Sequence, residues 1–124
     1  KRIMICTGKI YYDLLEERNN QKKNDIALVR MEQLYPWPEE ILAATLARYP
    51  NAKEIFWVQE EPRNMGAWMH FQGMWGGALS SFGARFPKLR LTYVGREICA
   101  SPAVGSKKLH DKEQKELILR AFQD

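Results

Sequence analysis

The feature that most constrains this chain is the stretch Ile55-Phe56-Trp57-Val58-Gln59-Glu60-Glu61-Pro62-Arg63-Asn64-Met65-Gly66-Ala67-Trp68. It opens with four apolar β-formers, too short a run for a helix and typical of a buried strand. Two carboxylates and a proline follow. Proline cannot donate to a ladder, which places the end of the strand at or before Glu61. Asn64 is a fair N-cap and predicts a helix from near Met65. A buried strand, a polar loop and a helix in this order put the loop at a strand's carboxyl end, where α/β sheets bind ligands and partners. An ordinary connection between a strand and a helix reads the same way.

The flanking sequence repeats this alternation. Ile3-Met4-Ile5-Cys6 reads as a strand ended by Thr7-Gly8-Lys9. A helix follows, with Ile10, Asp13, Leu14, Glu17 and Arg18 in a 3.6 period and Leu14-Leu15 inward, until the polar cluster from Asn19 to Asn24 ends it. Gly8 sits at a strand-helix junction of the kind that presents backbone N–H groups to anions. The further glycines of a phosphate-binding loop are absent, so a plain turn is the expectation. Ile26-Ala27-Leu28-Val29-Arg30-Met31 is nearly continuously apolar, as a strand covered on both faces should be. Pro38 with Glu39 and Glu40 marks a helix start. Ile41, Leu42, Thr45, Leu46 and Tyr49 give that helix its inward stripe. Trp37 and Tyr35, beside prolines, read as a packing plug under the loop.

After the central stretch, Trp68, Phe71, Trp75, Leu79 and Phe82 are spaced as one aromatic helical face, which reads as core. Gly73, Gly76 and Gly77 weaken that helix, and imply a close approach or a kink. His70 falls off the stripe and reads as a surface residue. A strand is expected from Leu89 to Val94, closed by Gly95-Arg96, with one face less buried. Ile98-Cys99-Ala100 is a short fifth strand or an irregular edge, and residues 101–106 form a loop. The last helix runs to Phe122 and packs through Leu117, Ile118, Ala121 and Phe122. Its cap is either Ser106 or Asp111, the latter with Gln114 completing a capping box.

This order predicts a largely parallel sheet with helices on both faces, and gathers the loops at residues 7–9, 33–38 and 59–64 along one edge. Length fits a single domain, residues 1–124. The chain opens inside a strand and without Met, which reads as a piece of a longer protein. Hydrophobic content of 45% and charged content of 27% are those of a globular domain, and no run approaches the ~20 apolar residues of a membrane span. The net charge of +4 is spread along the chain, which does not point to nucleic acid. Two cysteines without C-x-x-C spacing, Cys6 and Cys99, indicate neither zinc nor a disulfide framework. No Ser-His-Asp set or dinucleotide fingerprint occurs. Glu60 and Glu61 are adjacent, so an extended backbone points them to opposite sides and they do not form one acid-base pair.

Several motifs together resemble a known family. They are Glu32-Gln33-Leu34-Tyr35-Pro36; Trp57-Val58-Gln59-Glu60-Glu61-Pro62 with Asn64, Gly66, Ala67 and Trp68; and Ser101-Pro102-Ala103 with Gly105-Ser106-Lys107-Lys108-Leu109-His110 and Glu113-Gln114. With Thr7-Gly8-Lys9 and Tyr11-Tyr12-Asp13-Leu14 they cover essentially the whole chain. The pattern resembles the carboxy-terminal domain of the E1 component of 2-oxoglutarate dehydrogenase, a thiamine-dependent, transketolase-like family. The related E1 acting on 2-oxoadipate shares much of it. Ile98 and Cys99 stand where smaller residues are common in the family.

The resemblance implies a three-layer α/β/α sandwich on a mostly parallel five-stranded sheet with one antiparallel strand. It implies a parent enzyme that uses thiamine diphosphate and magnesium, both bound in preceding domains. That parent decarboxylates 2-oxoglutarate in the tricarboxylic acid cycle and passes the succinyl group to the lipoyl arm of E2. The domain itself is then non-catalytic and serves assembly with the preceding E1 domains and a second E1 subunit. Nothing in it matches the family's G-D-G…N magnesium motif, and the chain alone is expected neither to bind the cofactor nor to act on 2-oxoglutarate. The location implied is cytoplasmic in bacteria and the mitochondrial matrix in eukaryotes. An independent α/β binding module of the flavodoxin or anticodon-binding kind is the competing class.

Regulation by acetyl-CoA or adenine nucleotides occurs in some relatives, and the polar edge is where the resemblance directs attention. The residues concerned are Gln59, Glu60, Glu61, Arg63 and Asn64, with Arg96, Ser101 and Lys107 on loops beside them. A positive rim and a helix N-terminus favour a phosphorylated ligand. The alternative is that the two carboxylates pair with Arg63, Arg96 or a neighbouring domain. The four indoles, Trp37, Trp57, Trp68 and Trp75, are many for one small domain, and an exposed aromatic patch facing other domains is expected.

Overall fold

The computed structural model describes residues 1–77, 79–97 and 107–123. Among the described residues, four strands and four helices alternate: β1 (Arg2–Cys6), α1 (Ile10–Gln21), β2 (Ile26–Arg30), α2 (Glu39–Ala47), β3 (Glu54–Pro62), α3 (Trp68–Gly76), a 3₁₀ turn (Phe82–Arg85), β4 (Arg90–Arg96) and α4 (Lys107–Ala121). The strands form one sheet in the order β2-β1-β3-β4. Every pairing is parallel. The expected strand at residues 98–100, and the loop at 101–106 with the Ser106 cap, lie outside the described residues.

Alternation along each central strand splits the core in two, because successive side chains leave opposite faces. Ile3, Ile5, Ile55 and Trp57 point to a layer of α2, α3 and the 3₁₀ turn, where they meet Leu42, Leu46, Phe71, Trp75 and Phe82. Met4, Cys6, Phe56 and Val58 point the other way, to Ile10 and Leu14 of α1 and Leu117, Ile118, Ala121 and Phe122 at the end of α4. The result is three layers. Burial pushes the Cys6 thiol up to about 12, so it behaves as a small neutral core residue. At the amino edge of the sheet, the buried Arg2 pairs with Glu54 at 3.2 Å and donates to the Ala121 carbonyl at 2.8 Å. Its guanidinium lies 4.0 Å from the centre of the Phe56 ring. That knot fastens the carboxyl end of α4 to β1.

Several expectations need correction. All four indoles belong to the domain's own core. Trp57, Trp68 and Trp75 are buried, and Trp37 packs edge-on against Phe71 and Phe82. No aromatic patch made of them faces outward. Trp37 is thus the plug its position suggested, but Tyr35 is 85% exposed. The aromatic run from Trp68 to Phe82 is not one helix. α3 stops at Gly76, and the Gly77 N–H bonds the Gly73 carbonyl at 3.2 Å. The chain folds back so that Phe82 meets Trp75 from a separate turn. Gly83 makes this possible, since a Cβ there would stand 2.5 Å from Trp75 Nε1. Leu79 leaves the stripe and is 62% exposed.

β2 is an edge strand and only half buried, because β1 is its one partner in the described sheet and the helices cover it unevenly. Ile41 is exposed, turned outward from a helix whose grip is Leu42, Ala43 and Leu46. Leu15 is half buried where Leu14 is fully so. His70 is half buried too, and its Nε2 lies 3.1 Å from the Leu34 carbonyl, which ties α3 to the loop after β2. α4 is already helical at Lys107, so Asp111 lies inside it and caps nothing.

Candidate functional site

The carboxyl edge of the sheet is built from the ends of β1, β3 and β4, and α4 crosses it. β3 runs one residue past its expected end, to Pro62, which pairs with Arg96 across a register shift. A bulge is one of the few places where a ladder tolerates a residue without an N–H. The helix after it starts later than expected. Ala67, not Asn64, occupies the cap position of α3, and makes no side-chain cap bond. Asn64 is an exposed residue of the turn.

Gln59 replaces the missing cap from inside. Its side chain is buried. Oε1 accepts from Trp57 Nε1 at 2.9 Å and from the Trp68 backbone N–H, at the start of α3, at 3.1 Å. Nε2 donates to the carbonyls of Glu61, Pro62 and Met65 at 3.1, 2.9 and 2.9 Å. Gly66, at φ 68°, completes the loop, because a Cβ there would lie 3.1 Å from Gln59 Oε1. A side chain so enclosed shapes the loop and presents no group to a ligand.

Glu60 points to the opposite face, as the period of two requires. Its Oε1 accepts from Lys9 Nζ at 2.9 Å and from Gln114 Nε2 at 3.1 Å. The bond to Glu60 is the largest cause that pushes the Lys9 ammonium above its ordinary value. Lys9 thereby commits the charge of the Thr7-Gly8-Lys9 turn to the loop. Gly8 has φ 82° with open space around it, as in a plain turn. Glu61, on the α3 side, is exposed.

Arg96 lies beside the same loop but does not pair with the Glu60 carboxylate. Its Nη1 donates to the Glu60 backbone carbonyl at 3.0 Å, and its Nη2 reaches Gln114 Oε1 at 3.5 Å. Its Nε lies 3.2 Å from Glu113 Oε2, an ion pair without the alignment of a hydrogen bond. Arg63 turns away from the carboxylates. It lies 4.2 Å from the centre of the Tyr93 ring and 3.7 Å from Glu97. Tyr93 donates to the Arg96 carbonyl at 2.6 Å within β4, and its hydroxyl also lies 3.3 Å from the Glu61 carbonyl of β3. Burial is the main cause that raises its phenol above the ordinary value. Lys107 is exposed at the start of α4, and Ser101 lies outside the described residues.

The structure therefore brings Glu60 and Arg96 together around Gln114, and separates Gln59, Arg63 and Asn64 into other roles. Lys9, Asp13, Glu113 and Gln114 complete this cluster and are not among the site residues expected from the sequence. Gln114 Nε2 also donates to Asp13 Oδ2 at 3.2 Å, so one amide joins α1, β3, β4 and α4. The only signal available was residue type, since an amide that both donates and accepts suits a crossing point.

A magnesium diphosphate requires several free oxygen ligands. Among the described residues no group of three His, Cys, Asp or Glu side chains is placed to hold a metal. Glu60 at the edge is already engaged by Lys9 and Gln114. The edge does not fit that group.

A parallel sheet covered on both faces, with Glu60 and Arg96 held by partners of the same domain at its carboxyl edge, defines a three-layer α/β domain. The chain belongs to the 2-oxoglutarate dehydrogenase C-terminal family, whose model matches residues 1–122. It is 46% identical over 122 residues to a 2-oxoglutarate dehydrogenase E1 component of Azotobacter vinelandii and 44% identical to that of Cupriavidus necator. It is 40% identical to a multifunctional 2-oxoglutarate metabolism enzyme of Mycobacterium sp. strain KMS. Each alignment covers 98% of this chain. It covers 13%, 12% and 9% of the three relatives, so the chain spans about an eighth of the length of the E1 components it matches.

Proposed function

We propose that this chain serves as the non-catalytic carboxy-terminal domain of a 2-oxoglutarate dehydrogenase E1 polypeptide. The observation that carries the reading is an alignment along 98% of the chain with relatives that bear that name. In this reading the parent uses thiamine diphosphate and magnesium held by preceding domains. It decarboxylates 2-oxoglutarate and hands the succinyl group to a lipoyl-bearing E2. The domain supports assembly with the preceding domains and a second E1 subunit. The bacterial origin of the similar E1 components supports a cytoplasmic location.

For an acetyl-CoA or adenine-nucleotide effector at the edge, the pairing of Glu60 with Lys9 and of Arg96 with Glu113, and the burial of Gln59, favour a structural role for those residues instead. The test is turnover of 2-oxoglutarate and 2-oxoadipate by the complete polypeptide with cofactor and E2, repeated after removal of this domain. The expected result is turnover of 2-oxoglutarate by the complete polypeptide and its loss on truncation. Preference for 2-oxoadipate, or full activity without the domain, would overturn the reading.

A further inference from the structure

α4 is held in two different ways along its length. From residue 107 to residue 116 no side chain is buried, and from residue 117 onward Leu117, Ile118, Ala121 and Phe122 are. The second half is anchored by the apolar core beneath α1 and the sheet, and by Arg2 on the Ala121 carbonyl. Among the described residues, two neighbours in the first half, Glu113 and Gln114, join it by side-chain polar contacts to the sheet edge and α1. Glu113 meets Arg96, and Gln114 meets Arg96, Glu60 and Asp13. Partly exposed contacts of this kind are individually weak and weaken further in salt. Local opening draws on segments with few buried apolar contacts.

We propose that the group around Gln114 is a latch. The first half of α4 opens from the carboxyl edge as a unit while residues 117–122 stay packed. Opening releases Arg96 from Glu113 and Gln114 and leaves it joined to the loop through the Glu60 carbonyl. It also frees one side of the Glu60 carboxylate, which Lys9 still holds. The edge thus has a closed state, with its charges paired, and an open state that hands a cation to solvent. Whatever takes Arg96 from Glu113 shifts the balance toward the open state. The latch rests on contacts of α4 within the domain and holds whatever the parent enzyme's substrate.

Hydrogen–deuterium exchange on the full chain, resolved to single amides, tests this. The amides of residues 111–116 are expected to exchange on the order of tenfold faster than those of residues 118–121. Gln114→Leu should widen that gap by about tenfold, the worth of one or two net hydrogen bonds. Raising salt should widen it several-fold in the unsubstituted chain, with the amides of residues 118–121 unchanged. A common rate for both halves of α4 overturns the proposal, as does a gap that neither salt nor Gln114→Leu changes. If Gln114→Leu does not fold, the salt series on the unsubstituted chain decides alone.

Discussion

A glutamine side chain offers two N–H donors and two acceptor lone pairs, and Gln59 uses them all in the interior of the β3–α3 turn. Burying such a group is favourable only while its partners are present. Gln59→Leu would strand the Trp57 indole N–H, the Trp68 backbone N–H and the Met65 carbonyl together. We expect a loss of about 3–5 kcal/mol, since each buried group left unpaired costs ~1–3 kcal/mol. Gln59→Glu should cost at least as much, because a carboxylate would face three carbonyl oxygens. Urea titration measures both. A loss under about 1 kcal/mol for Gln59→Leu would mean that water replaces the amide and that the turn does not depend on it.

At the scale of elements, α1 ends on Lys22, a residue with a side chain in the left-handed region at φ 55°. Glycine adopts that conformation without the Cβ penalty. Lys22→Gly should therefore stabilise the domain by about 0.5–1 kcal/mol, read as a rise in thermal midpoint. A fall would show that the Lys22 side chain contributes more than its backbone conformation costs. Most elements were legible in the sequence because apolar runs and 3.6 periods reflect burial directly. Ile3 to Cys6 and Ile55 to Val58 are core on both faces and read as strands. The misreadings share one cause: long-range contacts overrode local signals. Pro62 looked like a strand end, but the bulge opposite Arg96 admits it. Asn64 looked like a cap, but Gln59 reaches the α3 start from the strand. The stripe from Trp68 to Phe82 kept helical spacing across a break at Gly76, since both pieces bury aromatics in one cluster. Gln114 looked like half of a capping box, and its partners on α1, β3 and β4 are distant in sequence.

For the molecule as a whole, the sheet order puts the loops after β1 and β3 side by side, and α4 closes over them. In many α/β folds such an edge binds the ligand. In this domain the Glu60 carboxylate and the Arg96 guanidinium are spent within the fold, on Lys9, Gln114, Glu113 and a backbone carbonyl. We propose that the domain supports an E1 enzyme whose cofactor is held elsewhere. The most direct test is calorimetry of thiamine diphosphate with magnesium against the 124-residue chain, once a cooperative melt has established that the chain is folded. The complete polypeptide serves as the positive control. Micromolar binding by the complete polypeptide and no binding heat from the chain are the expected results. Micromolar binding by the chain alone would contradict the proposal.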